Sequence, residues 1–363
     1  MTRHGGRVGC ELAAGLELLV ALGPREIWRR RGDERSLARL WPGQTINRRI
    51  WSEAAGHLGV EFRDLGDGVF EFGEGEARPR VWLHVTPLDD EAARDRALDK
   101  AISHQLMVEA GVPVPEQIPF DIADLGPAAS ALGDGSWVVK PAGGTSSGQG
   151  ATPDVRSFED LQRAAVRAAR SGHSQLLERQ VPGEEYRVLL LDGEPLGAVR
   201  RHAPVVFGDG HSTIADLIHA ENHCRLEAVG EAGLRVITLD LDALLALEHS
   251  GLDHRSVLPA DGRAVAVKTS RSQGGARDAE TVPVSAFSPE LIAELGRAAT
   301  ALGLRVAGVD LLTPDIGRSL ADSGGAVIEI NGTPGLHYHY LVREPDLAAP
   351  VAVPLLERIL SEW

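Results

Sequence analysis

Apolar residues recur along this chain with two periods, one near 3.6 residues and one of 2 residues. The first is typical of helices that bury one face, and the second of strands that bury one side. The longer period predicts helices over Ile46–Leu58, Asp89–Ala110, Phe158–Ser171, Ile214–Asn222, Leu241–His249 and Leu291–Leu302. Alternating or short apolar runs predict strands over Val60–Phe62, Val69–Phe72, Val81–Val85, Ser136–Lys140, Gln175–Leu177, Tyr186–Leu191, Pro195–Arg200, Val306–Leu312 and Ala326–Ile330. This order indicates a mixed α/β (α+β) fold with antiparallel hairpins.

Composition narrows the class of protein. The 363 residues carry a net charge of −15, which argues against a broad nucleic-acid-binding surface, and no apolar run reaches the length of a membrane span. The two cysteines match no disulfide or zinc spacing, so we expect a cytoplasmic protein. Only Lys100, Lys140 and Lys268 are lysines among 37 basic residues. These lysines are either leftovers of a composition bias or positions that need a compact ammonium group.

A glycine-rich segment follows the predicted strand that ends at Lys140. It is either a flexible surface turn or a loop whose backbone N–H groups and small hydroxyls bind a polyphosphate. The lysine precedes the glycines, so the segment does not match the common phosphate-loop motif, and it lacks the helix-opening context of a dinucleotide-binding fingerprint. Its candidate binding residues are Gly143, Gly144, Thr145, Ser146, Ser147 and Gly148.

Two predicted strands near the end of the chain carry oxygen ligands. Glu329 and Asn331 point to the same face of an extended strand, and Asp310 lies among apolar neighbours where an isolated carboxylate is costly. Carboxylate and amide oxygens suit magnesium carried by a nucleotide. The alternative is the polar face of a half-buried strand.

Taken together, these segments resemble the ATP-grasp superfamily, and most of all the ATP-grasp part of cyanophycin synthetases and of bifunctional glutathione synthetases. The resemblance runs from about residue 57 to residue 345. It rests on an ordered set of motifs: Asp99-Lys100 ahead of Ala110–Pro115, Val138–Pro141, Glu178–Tyr186, Phe207–Thr213, Gly274-Gly275, Gly308–Asp310, Ile328–Asn331, Pro334-Gly335 and His339.

The resemblance implies an ATP-grasp fold of three subdomains, with ATP held between two lobes that contain antiparallel sheets. The expected divisions are an N-terminal α/β domain over 1–95, a central lid subdomain with the glycine-rich loop over 96–180, and a C-terminal subdomain with the magnesium site over 181–363.

The resemblance also implies roles for individual residues. Lys100 and Lys140 would contact the nucleotide phosphates, and Lys268 would lie over the γ-phosphate. Glu178 and the Val181 backbone would hold adenine. Glu185, or less favourably Glu184, would bind ribose. The other implied roles are two magnesium ions at Asp310, Glu329 and Asn331, the phosphate or a substrate carboxylate at Arg187 and Arg201, and substrate at Ser272, Gly274, Gly275 and His339.

The implied activity is an ATP-dependent carboxylate–amine ligase that forms an acylphosphate and releases ADP and phosphate. Its partners would be amino acids or small peptides, and a homodimer is the family-level expectation. The chain ends at Trp363 without a second ligase domain, and the family's Asn-Leu-Ser-x-Gly-Gly loop reads Ser270–Gly275 here, so polymer synthesis is not expected. The alternatives are a glutathione-synthetase-like ligase and a nucleotide-binding regulatory module that has lost ligation.

Overall fold

The computed structural model describes residues 18, 20–23, 26–27, 29–32, 43–74, 78–133, 135–143, 148, 150–227, 236–271 and 274–363. The chain forms two compact units, each assembled from separate segments. The first unit comprises Met1–Trp41, Pro115–Gln180 and His202–Asp278; the second comprises Pro42–Val114, Val181–Arg201 and Ala279–Trp363. The division into three contiguous subdomains stays a prediction.

We number the elements in chain order. The helices are α1 (Gly43–Leu58), α2 (Glu91–Leu98), α3 (Lys100–Glu109), α4 (Gly126–Ala131), α5 (Phe158–Ala168), α6 (Ile214–Glu227), α7 (Leu241–His249), α8 (Pro289–Leu302), α9 (Leu320–Ser323) and α10 (Ala352–Ser361). The first seven strands are β1 (Phe62–Gly66), β2 (Val69–Phe72), β3 (Arg80–Trp82), β4 (Gln117–Asp121), β5 (Trp137–Pro141), β6 (Thr152–Val155) and β7 (Ser174–Arg179). The others are β8 (Glu184–Leu191), β9 (Glu194–Arg201), β10 (Val205–Phe207), β11 (Ala264–Ala266), β12 (Ala279–Val282), β13 (Val306–Thr313) and β14 (Ala326–Asn331).

The second unit is built on an antiparallel five-stranded sheet in the order β12-β9-β8-β13-β14. One face of the sheet is apolar, because Val188, Val309 and Leu311 lie on it and pack with Leu291 and Leu295 of α8. Side chains alternate between the two faces of a strand. The residues between these core positions therefore lie on the opposite face, which is where the predicted site residues of β8, β13 and β14 fall.

A smaller antiparallel sheet in the order β1-β2-β3 also belongs to the second unit. Its inner side chains pack with α1, where Trp51 is fully buried and its ring contacts Phe72 edge to face. The Trp51 indole N–H donates a 2.7 Å hydrogen bond to the Leu83 carbonyl oxygen, so the buried ring has its polar atom satisfied.

The first unit has two cores. An antiparallel sheet in the order β4-β7-β5-β6 packs on α5, with Leu161 and Leu177 fully buried. Ser157 begins α5 with a capping box that includes Asp160. The second core joins the two-stranded β10-β11 sheet to α6 and α7 around Ile214 and Leu247.

The predicted single helix over Asp89–Ala110 is wrong, because the structure has α2 and α3 there. Asp99 ends α2 with an extended backbone, and its carboxylate accepts hydrogen bonds from the N–H groups of Ala101 and Ile102 at the start of α3. A side chain that caps the N-terminus of a helix favours a new start over continuation. Among the described residues, no helix combines the length and apolar character that crossing a bilayer requires.

Candidate functional site

A row of charged side chains crosses the polar face of the five-stranded sheet. Arg201 of β9 is paired in register with Glu185 of β8, and Arg187 of β8 with Asp310 of β13. Asp310 is in turn paired with Glu329 of β14. Glu185 and Arg187 are two residues apart on one strand, so all five share one face. The structure thus brings together predicted site residues that lie more than a hundred positions apart.

Asp310 is the centre of this row. Its side chain is almost fully buried and forms ion pairs with both Arg187 and Arg201, the latter through Nη1 at 3.4 Å from Oδ1. Arg187 binds it through two atoms, with Nε at 2.6 Å from Oδ1. Burial alone would raise the pKa of Asp310, but the two guanidinium groups outweigh burial and hold that pKa below its usual value. The carboxylate therefore stays ionised.

Glu329 and Asn331 lie beside Asp310 with oxygen atoms on the same face. Among the described residues, Glu329 forms no hydrogen bond or ion pair, although its charge raises the pKa of Arg187. Asn331 is paired with Gly308, and its amide donates to the Gly308 carbonyl oxygen at 3.3 Å. A Cβ on Gly308 would approach the Pro334 Cβ to 2.7 Å, so glycine is required opposite Asn331.

These three residues suit a hard divalent cation. Two carboxylates and an amide oxygen are magnesium ligands, and the low pKa of Asp310 keeps one of them charged. Within the described part of the chain, no group of three His, Cys, Asp or Glu side chains is placed to hold a metal ion. The predicted set contains two carboxylates and one amide. The magnesium assignment stays a prediction.

Tyr338 and His339 follow strand β14, and the Tyr338 ring packs against two of the arginines. The guanidinium carbons of Arg187 and Arg201 lie 5.0 and 5.1 Å from the centre of the Tyr338 ring. His339 is 1% exposed, and within the described part of the chain neither of its ring nitrogens has a hydrogen-bond partner. Burial, followed by the charges of Arg187 and Arg201, lowers the pKa of His339 to about 3. His339 is therefore neutral at physiological pH, and its predicted contact with substrate would be as a neutral hydrogen-bonding group.

In the first unit, Lys140 and Glu178 form a direct ion pair. They are close on the neighbouring strands β5 and β7, and the Lys140 ammonium lies 2.5 Å from Glu178 Oε2. Gln117 of β4 donates to the same oxygen at 2.6 Å. The predicted phosphate-binding lysine and the predicted adenine-binding carboxylate thus form one cluster on this sheet.

The glycine-rich segment is only partly described. Gly143 and Gly148 are exposed, whereas Gly144, Thr145, Ser146 and Ser147 lie outside the described residues. Gly148 has a φ of +69°, and a Cβ there would overlap the hydroxyl group of Ser270. The backbone of the predicted phosphate loop therefore approaches the start of the predicted substrate-binding segment Ser270–Gly275.

Lys268 is more enclosed than the sequence indicates. Its ammonium lies 2.7 Å from Asp240 Oδ1 and 3.9 Å from Asp242 Oδ2, and its side chain is 2% exposed. Asp240 is also the N-cap of α7 and accepts from the Ala243 N–H at 3.0 Å. Burial raises the pKa of Asp242, and the nearby Lys268 ammonium opposes that rise. Lys268 is thus anchored to the beginning of a helix.

The other predicted residues fall at element ends. Lys100 is the first residue of α3, and Val181 begins the middle segment of the second unit. Gly274 and Gly275 are half-buried, whereas Ser272 lies outside the described residues. Because Lys100 belongs to the second unit and the other two lysines to the first, a shared role for the three stays a prediction.

Sequence reasoning missed the partners of these residues. Gln117, Asp240, Asp242, Arg225, Asp278 and Tyr338 contact predicted site residues or anchor their segments. Asp240 could have been found, because an aspartate directly before a helical pattern is a capping signal. For the other partner residues, no spacing in the sequence predicts the contact.

Comparison with known proteins finds sequence relatives over most of this chain. No family model matches it. A cyanophycin synthetase from Synechocystis sp. is 30% identical over 296 residues, which cover 80% of this chain and 33% of that protein. The glutathione biosynthesis bifunctional protein GshAB from Streptococcus mutans is 31% identical over 249 residues, covering 66% of this chain and 32% of that protein. The chain therefore spans about a third of the length of the curated relatives it matches.

A solved structure shows the same fold. The crystal structure of a bifunctional glutathione synthetase from Pasteurella multocida superposes with a TM-score of 0.58 at 22% sequence identity. The match covers 87% of this chain and 43% of that one. The antiparallel sheets and the helices on them thus have a counterpart in a known architecture, which confirms the fold expected from the sequence.

Proposed function

We propose that this chain, which is similar to cyanophycin synthetases over 80% of its length, is an ATP-grasp protein that acts as an ATP-dependent carboxylate–amine ligase. It joins amino acids or small peptides through an amide bond. The observation that carries the proposal is the approach of Gly148 to Ser270, because phosphoryl transfer to a carboxylate needs the phosphate loop beside the acid-binding segment. The cytoplasmic location and the homodimer belong to the same proposal.

The proposed reaction has two steps. A carboxylate oxygen of the acid attacks the γ-phosphorus of ATP, the bond to the β-phosphate oxygen breaks, and ADP leaves. The amine then attacks the carbonyl carbon of the acylphosphate, loses a proton, and expels inorganic phosphate. The protein's contribution is positioning and charge neutralisation, so no nucleophilic serine or cysteine is needed.

Residues of each unit have separate tasks in this proposal. In the first unit, Lys140 binds phosphate oxygens, and Glu178 orients that lysine and accepts from the adenine amino group. Lys268 donates to the γ-phosphate. In the second unit, Lys100 is a further phosphate contact, and Glu185 accepts from the ribose hydroxyls. Val181 offers its backbone to the adenine edge.

Asp310, Glu329 and Asn331 would hold two magnesium ions, which supply neutralisation of the phosphate charge. Arg187 and Arg201 keep Asp310 ionised and oriented, as their ion pairs indicate. They are also the candidate contacts for a substrate carboxylate. His339 remains a neutral hydrogen-bonding group near them.

The test is a screen for phosphate release with single amino acids and dipeptides as acids. Hydroxylamine is added as a general nucleophile, since it converts an acylphosphate into a stable hydroxamate. We expect acid-dependent phosphate and hydroxamate in equal amounts. Lys140→Met should lose both, whereas Arg156→Gln, an exposed change in the same unit, should keep both.

The screen also separates the alternatives. Tight ATP binding without turnover on any acid would contradict the ligase and favour a regulatory module. Best turnover with a γ-glutamyl dipeptide as the acid and glycine as the amine would identify a glutathione-synthetase-like ligase. Removal of magnesium with EDTA should abolish turnover, and added Mg²⁺ should restore it.

A further inference from the structure

The turn that contains Gly274 and Gly275 is fixed from inside by its own hydrogen bonds. The Gly275 N–H donates to Asp278 Oδ2 at 2.8 Å, and the Asp278 N–H donates back to the Gly275 carbonyl oxygen at 2.9 Å. The Gly274 N–H donates to the Arg271 carbonyl oxygen at 3.1 Å. Both glycine N–H groups are thus used within the turn.

Asp278 is held in turn by a buried arginine of helix α6. Arg225 is 2% exposed and binds Asp278 through two nitrogens, with Nη1 to Oδ2 at 3.0 Å and Nη2 to Oδ1 at 3.3 Å. Arg225 Nε donates to Glu221 Oε1 at 2.8 Å, one helical turn earlier. A two-nitrogen guanidinium–carboxylate pair fixes orientation as well as distance.

The space around Gly274 is too small for a side chain. A Cβ on Gly274 would lie 2.6 Å from the Asp278 Cβ and 3.2 Å from the His202 carbonyl oxygen. The His202 N–H donates to the Asp278 carbonyl oxygen at 2.7 Å. Asp278 therefore contacts the turn, the end of the preceding hairpin and helix α6 at once.

We infer that Asp278 and Arg225 are positioning residues that set the geometry of the acid-binding turn. The inference rests on the proposed function, because that function makes Ser270–Gly275 the segment that receives the acid. The Asp278 carboxylate takes the place of a ligand as the acceptor for the Gly275 N–H, and Arg225 holds the carboxylate in the orientation that reaches that N–H. The acid then meets a turn in which Gly274 and Gly275 are already fixed in position.

The test separates positioning from simple stability with two double variants. Replacing one partner of a buried ion pair destabilises a protein strongly, whereas replacing both with apolar groups of similar size is often tolerated. We therefore compare Arg225→Met/Asp278→Leu with Arg225→Met/Asp278→Asn. Both lack the ion pair, but only the asparagine variant retains an oxygen that can accept from the Gly275 N–H.

Two measurements are made on the full chain. Hydroxamate formation is followed with an equimolar mixture of the twenty common L-amino acids as acid and hydroxylamine as nucleophile. The leucine variant should show an apparent KM for the mixture at least tenfold above that of the asparagine variant, with the KM for ATP changed less than twofold. Amide hydrogen exchange at Gly275 should be at least tenfold faster in the leucine variant.

Equal KM values and equal exchange in the two variants would overturn the inference. A parallel rise in both KM values with loss of the folded state would do the same, because it indicates a structural role. If the wild-type protein forms no hydroxamate with any acid, the ligase proposal fails, and exchange at Gly275 alone decides whether Asp278 fixes the turn.

Discussion

The two units hold their charged candidate residues in different ways. In the second unit, two arginines on sheet strands, Arg187 and Arg201, share Asp310 on one buried face. In the first unit, the cations are lysines, and each is paired with carboxylates of its own: Lys140 with Glu178, and Lys268 with Asp240. Planar guanidinium groups fix a carboxylate in one orientation, whereas an ammonium can rotate to exchange one oxygen for another. The arginine pairs of the second unit thus favour one fixed carboxylate geometry, whereas the Lys140 ammonium of the first unit can exchange Glu178 for another oxygen atom.

Breaking the arginine network should have the largest effect on stability. Arg187→Met leaves the Asp310 carboxylate buried with Arg201 as its main counter-charge. We expect the free energy of unfolding to fall by about 3–5 kcal/mol in urea titration, as is typical when one partner of a buried pair is removed. The control is Arg358→Gln, which disrupts pairs with Asp192 and Glu362 at a half-exposed position. The Arg358→Gln variant should lose less than about 1 kcal/mol of unfolding free energy. An equal loss in both variants would show that the buried Arg187 ion pair contributes no more to stability than an exposed one.

Lysine-to-arginine changes should lower the unfolding free energy by different amounts at the two lysines of the first unit. Lys268→Arg forces a larger group into an enclosed site, so we expect a loss of about 1–3 kcal/mol in unfolding free energy. Lys140 has a 16% exposed side chain, so Lys140→Arg should cost under about 1 kcal/mol. Both variants should lose about a hundredfold in phosphate release, because a guanidinium does not reproduce an ammonium contact to phosphate. Full activity in both variants would indicate that these lysines are only leftovers of the composition bias and have no role in phosphate binding.

Removing the Glu329 carboxylate, which forms no ion pair among the described residues, should change the dependence on magnesium without changing the fold. Glu329→Gln is expected to raise the magnesium concentration that half-saturates nucleotide binding by about tenfold or more, because one hard anionic ligand is lost. Isothermal titration with ATP at varied Mg²⁺ measures it. Glu280→Gln on β12 of the same sheet is the matched control, since Glu280 pairs with arginines. An unchanged magnesium requirement in Glu329→Gln would remove this residue from the proposed site.

Because the His339 ring is buried in its neutral form, the free energy of unfolding should fall as the pH is lowered. Its folded-state pKa of about 3 lies below its ordinary value of 6.5, so between these values the unfolded chain binds more protons than the folded one. Stability contributed by the neutral ring is complete above pH 6.5 and declines as the pH falls, by at most about 1.4 kcal/mol per pH unit. His339→Leu should flatten the slope of unfolding free energy between pH 6.5 and 4. A slope identical to that of the wild-type protein would show that His339 does not titrate on unfolding.

Strand and helix positions could be predicted where periodicity was strong, as for Leu241–His249, which the structure reproduces to the residue. The sheet face that gathers Asp310 and Glu329 also follows from alternation along each strand. The long helix over Asp89–Ala110 failed because periodicity continues through Asp99 while its carboxylate starts a new helix. Ion pairs such as Arg225 with Asp278 could not be predicted, since pairing across 53 positions depends on the packed fold. The enclosure of Lys268 has the same cause.

The division of each unit into separate segments has a consequence for synthesis on the ribosome. The first unit needs its last segment, which ends at Asp278, before its second core around Ile214 and Leu247 can close. The second unit already has Pro42–Val114 and Val181–Arg201 at that point, but its sheet still lacks β12, β13 and β14. Hairpin β8–β9 ends at Arg201 and must therefore emerge with both edges unpaired, until β12 begins at Ala279 and β13 at Val306. Nascent-chain folding should be completed in the first unit before the second.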